Sequence, residues 1–176
     1  MIVVRDAGPE DIPAIHAIYA QHVRHGLGSF EEEPPTEREM RRRYDEVRGC
    51  RLPYLAACEA GTLLGYGYCA PYRARSAYRF ALEDSIYVKP DAQRRGVGRA
   101  LLAVLIERCT ALGYRQVIAV IGDSANAGSI ELHAALGFLR AGTLRSTGYK
   151  FGRWVDSVLM QRPLGPGDGI APREIT

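Results

Sequence analysis

Glu83-Asp-Ser-Ile-Tyr-Val-Lys-Pro-Asp-Ala-Gln-Arg-Arg-Gly-Val-Gly-Arg99 is the stretch on which the fold of this chain turns. Ser85 to Val88 is β-branched and aromatic, a strand that Pro90 ends. After Gly98 the apolar residues Val97, Leu101, Val104, Leu105, Cys109 and Leu112 recur at helical spacing. Strand, short glycine-rich loop and helix start therefore follow one another directly. N–H groups at a helix start lack intrahelical acceptors, and the helix dipole adds partial positive charge there. Gly96 and Gly98 let the backbone approach a bound group, and Arg94, Arg95 and Arg99 bring forked donors. Such a turn suits a polyphosphate. The competing interpretation is a plain helix N-terminus with surface arginines. No Gly-Lys-Ser/Thr follows, which excludes a Walker loop, and two glycines in mid-chain do not make a dinucleotide fingerprint.

Working outward, Gln116 to Ile121 is an unbroken apolar run, the pattern of a strand buried on both faces. With the strand at 80–88 and the helix at 98–112 it forms a βαβ crossover, so the two strands are expected to be parallel neighbours. Upstream lie a first strand at Met1–Arg5 and a helix marked by Ile12, Ile15, Ile18, Tyr19 and Val23, stopping near Gly26. Thr36 and Glu39 form a capping box for a charged second helix. Tyr54–Glu59 and Thr62–Pro71 are expected to pair as a hairpin around Ala60-Gly61. Gly65 and Gly67 weaken that second strand unless a bulge or a close neighbour requires them. Downstream, Asn126 caps a helix whose Leu132 and Leu136 side faces the core, and strands at 139–149 and 154–161 turn around Gly152. Residues 1–163 are read as one domain, and 164–176, rich in Gly and Pro, as a flexible tail.

Composition narrows the function. With 47% apolar and 24% charged residues the chain is an ordinary globular one, and a net charge of +3 does not argue for nucleic acid. No apolar run is long enough to span a membrane, and no signal peptide is visible, so a cytoplasmic protein is expected. Cys50, Cys58, Cys69 and Cys109 show no metal spacing and read as free, mostly buried thiols. His16, His22 and His25 do not form a metal set and read as solvated or capping groups; no metal site is expected. Ser29 to Pro35 reads as a solvated loop anchored by Phe30.

The order of elements resembles the GCN5-related N-acetyltransferase (GNAT) superfamily, an α/β (α+β) fold. That resemblance implies a central mixed, mostly antiparallel sheet with one parallel pair and flanking helices. Gln93-Arg-Arg-Gly-Val-Gly98 is similar to the superfamily's acetyl-CoA signature, Gln/Arg-x-x-Gly-x-Gly/Ala. Asn126-Ala-Gly-Ser-Ile-Glu-Leu-His-Ala-Ala-Leu-Gly-Phe138 is similar to its second motif. Glu83-Asp-Ser-Ile-Tyr-Val88, Ser29-Phe-Glu31 and Gly148-Tyr-Lys-Phe-Gly-Arg-Trp-Val-Asp156 resemble the branch that acetylates phosphinothricin, methionine sulfone and methionine sulfoximine.

The resemblance implies acetyl transfer from acetyl-CoA to the α-amine of a small amino acid analogue by direct attack. Glu83 is then the candidate base, the alternative being an exposed charge. His133, where the superfamily usually has Tyr, is the candidate to position or protonate the leaving thiolate; its alternative is a buried histidine bonded to backbone. Cofactor contacts are implied for Ile86, Tyr87, Val88, Arg94, Arg95, Gly96, Val97, Gly98, Arg99, Asn126 and Ser129. The substrate contacts implied are Phe30, Arg73, Arg75 and Tyr78, with surface arginines as the alternative for the two guanidiniums. A homodimer is also implied, with the C-terminal hairpin as the interface. Two other functions remain: an acetyltransferase for protein N-termini or other amines, and a non-catalytic acetyl-CoA-binding module.

Overall fold

A computed structural model describes residues 1–175. Its elements run β1 (Val3–Asp6), α1 (Ile12–His25), α2 (Glu37–Gly49), β2 (Tyr54–Glu59), β3 (Thr62–Pro71), β4 (Ala81–Val88), α3 (Val97–Ala111), β5 (Gln116–Gly122), α4 (Ala127–Ala135), β6 (Leu139–Lys150) and β7 (Arg153–Pro163). Seven strands form one sheet in the order β1-β2-β3-β4-β5-β7-β6. Every neighbouring pair is antiparallel except β4–β5, which is parallel, as the crossover through α3 requires. Among the described residues no helix is long and apolar enough to cross a membrane.

Local chemistry accounts for the turns. Ala60-Gly61 and Phe151-Gly152 each have positive φ at both residues, the backbone of tight hairpins. Thr36 caps α2 through its hydroxyl and the Glu39 N–H at 3.2 Å, but Glu39 does not return the bond; its carboxylate is held by Arg42 and Arg43 instead. Only half of the capping box therefore forms.

The two faces of the sheet are packed differently. On one, Tyr54, Tyr66, Tyr68 and Tyr87 stack along β2, β3 and β4, and Tyr19 of α1 and Tyr44 of α2 meet them edge-on. On the other lies α3. A Cβ at Gly65 would sit 3.1 Å from Val97, and one at Gly67 would sit 3.3 Å from Leu105 and closer still to Ile86. These glycines are thus the close neighbours that α3 needs, and β3 gives up side chains there to bring the helix down. Val97, Leu101, Leu102, Leu105 and Cys109 fill this side of the core, whereas Leu112, expected on the same face, is exposed. Cys69 is buried as well, Cys58 partly so, and Cys50 is exposed.

One strand departs from expectation. β5 is not buried on both faces: Val117, Ala119 and Ile121 are covered, but Val120 is 39% exposed. The cause is the sheet itself. β4 and β5 pair only from Ala81/Gln116 to Asp84/Ala119, while β5 continues to Gly122 against β7. Beyond Asp84 the two parallel strands part. After β7, Leu164 is buried and Arg115 donates to the carbonyls of Gly167 and Ala171.

Candidate active site

The gap between the parted strands opens into a cleft of about 1090 Å³. Its walls are the free edge of β4 from Ser85 to Val88, the end of β5 from Ala119 to Gly122, and the first turns of α3 and α4. The β4 edge that faces β5 there has lost its strand neighbour, so its backbone polar groups are available to a ligand. The Val88 carbonyl is an exception. His22 of α1, read from sequence as solvated or capping, bonds it through Nε2 at 2.8 Å.

At one end of the cleft stands the turn before α3. Arg94 and Gly96 both adopt positive φ, at 61° and 86°, so the chain winds tightly and exposes its amides. The N–H groups of residues 94–99 find no acceptor among the described residues. A run of such groups at a helix start is an anion-binding concavity. Gly96 is required by its backbone angle. At Gly98 space is tight: a Cβ there would meet the Leu132 side chain of α4 at 3.1 Å and Ile86 and Val88 of β4 at 3.7 Å, so only a small residue fits. Arg94 and Arg99 line the cleft, but Arg95 turns away to an ion pair with Glu59 at the end of β2. Of the three arginines, two therefore reach the turn's concave side.

α4 closes the opposite wall. The Asn126 side chain accepts from the Ser129 N–H at 3.2 Å, which caps the helix and sets both residues at the cleft surface. His133, one helical turn beyond Ser129, is 3% exposed. Its Nδ1 donates to the Ser129 carbonyl at 2.7 Å and its Nε2 meets Asp84 Oδ2 of β4 at 3.0 Å. Burial disfavours the charged imidazole, but the hydrogen bond and charge of Asp84, with the Ser129 carbonyl, outweigh it and raise the His133 pKa. Both ring nitrogens are committed, so the geometry is that of a buried ion pair docking α4 onto β4. Asp84 was not singled out from sequence. Its Oδ1 is buried without a partner.

Glu83 sits beside Asp84 but points to the other face of β4, as alternation along a strand dictates. It lines the cleft. Burial and then the Asp84 charge raise its carboxyl pKa, with Arg73 acting the other way. A carboxylate tuned upward in a cleft is a candidate proton acceptor.

Phe30 bounds the far end of the cleft. Its loop is solvated only in part: Glu32 and Glu33 are exposed, but Ser29 is buried, its hydroxyl 2.9 Å from Tyr19 Oη, and Glu31 is ion-paired to Arg43 at 2.6 Å. Arg73, Arg75 and Tyr78 lie on the segment between β3 and β4, outside the cleft lining. Arg73 rests over the Tyr72 ring at 5.1 Å, and Tyr72 meets Tyr78 edge-on at 5.7 Å. Lys150 was also missed: it is 1% exposed, and burial lowers its pKa.

Comparison with known proteins gives concordant findings. A model of the acetyltransferase (GNAT) family matches residues 15–138. The chain is 59% identical over 170 residues to phosphinothricin N-acetyltransferase of Alcaligenes faecalis, covering 97% of this chain and 85% of that one. It is 38% identical to an L-methionine sulfoximine/L-methionine sulfone acetyltransferase of Pseudomonas aeruginosa, covering 93% of this chain and 95% of the relative. Among solved structures it superposes on a GNAT superfamily phosphinothricin acetyltransferase from Sinorhizobium meliloti, in complex with acetyl-CoA. There the TM-score is 0.95 at 47% identity, over 98% of this chain and 94% of that one.

Proposed function

This chain belongs to the acetyltransferase (GNAT) family, and from that premise we propose that it moves the acetyl group of acetyl-CoA to the α-amine of a small amino acid analogue, with phosphinothricin, methionine sulfone and methionine sulfoximine as the acceptors to test. The observation that carries the reading is the parted β4–β5 pair with unpaired turn amides at one end and Glu83 on its wall.

The turn at Arg94–Arg99 takes the pyrophosphate of the donor, through its amides and the Arg94 and Arg99 guanidiniums. Arg95, paired to Glu59, contributes charge from outside. The pantetheine arm lies along the Ile86–Val88 edge like an added strand, with Val97, Asn126 and Ser129 beside it. An acceptor amine arrives as an ammonium with no lone pair, so a proton must leave before attack. Glu83, directly or through water, takes it; the raised pKa brings the carboxylate nearer to the amine's affinity. The free amine attacks the thioester carbon. Negative charge then grows on the carbonyl oxygen, opposite the Val88 N–H, since the Tyr87 N–H is turned to β3. Collapse breaks the C–S bond and expels the thiolate of CoA, which takes up the second proton that the attacking nitrogen gives up as the amide forms. His133 serves that step by its charge and by fixing Ser129, both ring nitrogens being already bonded. On the acceptor side Phe30 forms an apolar wall, and Tyr78, Arg73 and Arg75, on the β3–β4 segment outside the cleft lining, are the groups we assign to the acceptor's side chain and its carboxylate or phosphinate.

We further propose a cytoplasmic homodimer. Leu139, Leu144, Tyr149, Phe151 and Trp154, all half or more exposed along the β6–β7 hairpin at the edge of the sheet, are the apolar surface it would cover. Light scattering in solution measures this directly.

The decisive experiment is a thiol-release assay with acetyl-CoA over the three analogues, ordinary amino acids and short peptides. Turnover confined to the analogues is the expected result. Turnover on peptides alone replaces the acceptor class. Acetyl-CoA binding with no turnover on any amine removes the catalytic reading.

A further inference from the structure

Phe30 holds its place through contacts that come from the opposite end of the chain. Its ring lies against two glycines of different strands. A Cβ built on Gly148 of β6 would stand 2.6 Å from Phe30 Cε2, and one on Gly122 of β5 would stand 2.1 Å from the Leu27 carbonyl oxygen and 3.1 Å from Phe30 Cε1. Neither glycine has the left-handed backbone that would explain it by conformation. Gly148 leaves room for the ring, and Gly122 for the Leu27 carbonyl of the same segment and for the ring edge.

Two residues along β6, Lys150 is buried at 1% exposure, where lysine is seldom found. Its ammonium donates to the Ser29 carbonyl at 2.8 Å and to the Gly26 carbonyl at 3.0 Å. Gly26 ends α1, and Ser29 precedes Phe30. The ammonium therefore bridges the two ends of the segment from which Phe30 projects. Glu31 and Glu32 provide the nearby negative charge that such a buried cation needs. Ser29 and Glu31 fasten the same segment from below, through Tyr19 and Arg43.

We propose that Lys150, with Gly122 and Gly148, is a specificity-determining clamp: the end of the β6–β7 hairpin fixes the Gly26–Glu31 segment so that Phe30 forms a rigid wall at the acceptor end of the cleft. Lys150 touches no reacting atom in this scheme; it is a positioning residue. It acts on which amine fits and leaves the donor end untouched. This rests on the acceptor reading given above.

The test pairs kinetics with hydrogen–deuterium exchange on the full-length protein. Lys150→Met removes both donors and leaves two carbonyls unpaired. The acceptor KM is expected to rise about tenfold and the KM for acetyl-CoA to change by less than about twofold. Amides of residues 26–31 should exchange faster while those of α3 do not. Gly148→Ala presses on the ring from the other side, and the same split is expected without loss of the ammonium. It also decides the matter should Lys150→Met not fold. Wild-type acceptor KM and wild-type exchange at 26–31 in the folded variants overturn the clamp, as does a parallel rise in both KM values. If the wild-type enzyme acetylates no amino acid analogue, the acceptor reading fails by itself. The exchange at 26–31 then still tells whether Lys150 holds the segment.

Discussion

The end of the cleft proposed for the donor is largely free backbone: the amides of residues 94–99 and the side of the Ser85–Val88 edge turned away from β3, where His22 takes the Val88 carbonyl. The end proposed for the acceptor is made of side chains that much of the protein works to hold. Phe30 is kept by Lys150, Gly122, Gly148 and the Ser29 hydrogen bonds, and Arg73 by a tyrosine pair. A backbone site is fixed by the fold and tolerates changes in neighbouring side chains. A side-chain site can be retuned one residue at a time. The same contrast separates what all donors of one kind need, a fixed grip on a polyphosphate, from what must differ between acceptors.

Glu83 lies where the two ends meet, and its removal should have the largest effect. Glu83→Gln is expected to lower kcat by about 10²–10³-fold, the usual worth of a positioned base, with the KM for acetyl-CoA little changed. Because burial and Asp84 raise its pKa, the wild-type rate should fall with acidity already above the usual carboxylate range. That limb should vanish in the variant. A full pH–rate profile identical to wild type would show that the two ends are joined by some other group.

The next effect concerns stability. Asp84→Ala leaves the buried His133 without its counter-charge, at a cost of roughly 3 kcal/mol, or about 6–12 °C in Tm for a domain of this size. The sign with pH follows from the raised His133 pKa. The folded state holds the proton more tightly than the unfolded chain. The stabilisation is therefore fully present below the unfolded value of about 6.5 and is lost as pH rises through the folded value. Melting curves from pH 5 to pH 9 should slope downward in wild type and lie flatter in Asp84→Ala. A flat wild-type curve would mean that folding leaves the His133 pKa unshifted, and an upward slope that the folded histidine stays neutral.

These two residues also show where a sequence stops being informative. The strand–turn–helix at Glu83–Arg99, the parallel partner strand and the hairpin Tyr54–Pro71 were readable because their signals are local: alternation, glycine and proline positions, helical spacing. Nothing local marks Asp84, since its partner lies 49 residues on. Nothing local marks Lys150 either, since the Ser29 carbonyl it holds lies 121 residues back. β5 looked doubly buried because the parting of β4 from β5 leaves no mark on β5's own composition. Arg94, Arg95 and Arg99 are equivalent as letters; only the left-handed backbone at Arg94 and Gly96 and the position of Glu59 distinguish them.

That last distinction is testable at the donor end. Arg94→Ala and Arg99→Ala should each raise the KM for acetyl-CoA about tenfold, near 1.4 kcal/mol, with the effect shrinking in high salt. Arg95→Ala removes an exposed ion pair with Glu59 and should change the same KM by less than about twofold. Three equal effects would show that the turn gathers all its arginines around the phosphates.

The smallest effect belongs to the acceptor end, and it separates two neighbours that sequence treats alike. Arg73 lies close enough to Glu83 for its charge to hold the carboxyl pKa down, against burial and Asp84. Arg73→Ala should therefore move the acidic limb of the pH–rate profile to higher pH, and raise the KM for an acceptor bearing a carboxylate by about threefold, as expected for an exposed guanidinium. Arg75→Ala should raise that KM without moving the limb, because Arg75 does not contribute to the Glu83 shift. The double variant should add the two KM effects and keep the limb where Arg73→Ala put it. An unchanged acceptor KM in the double variant removes both arginines from the acceptor site. A limb that moves in Arg75→Ala as well would mean that the segment between β3 and β4 acts on Glu83 as a whole, and the acceptor end would then be less separable, residue by residue, than its construction from side chains implies.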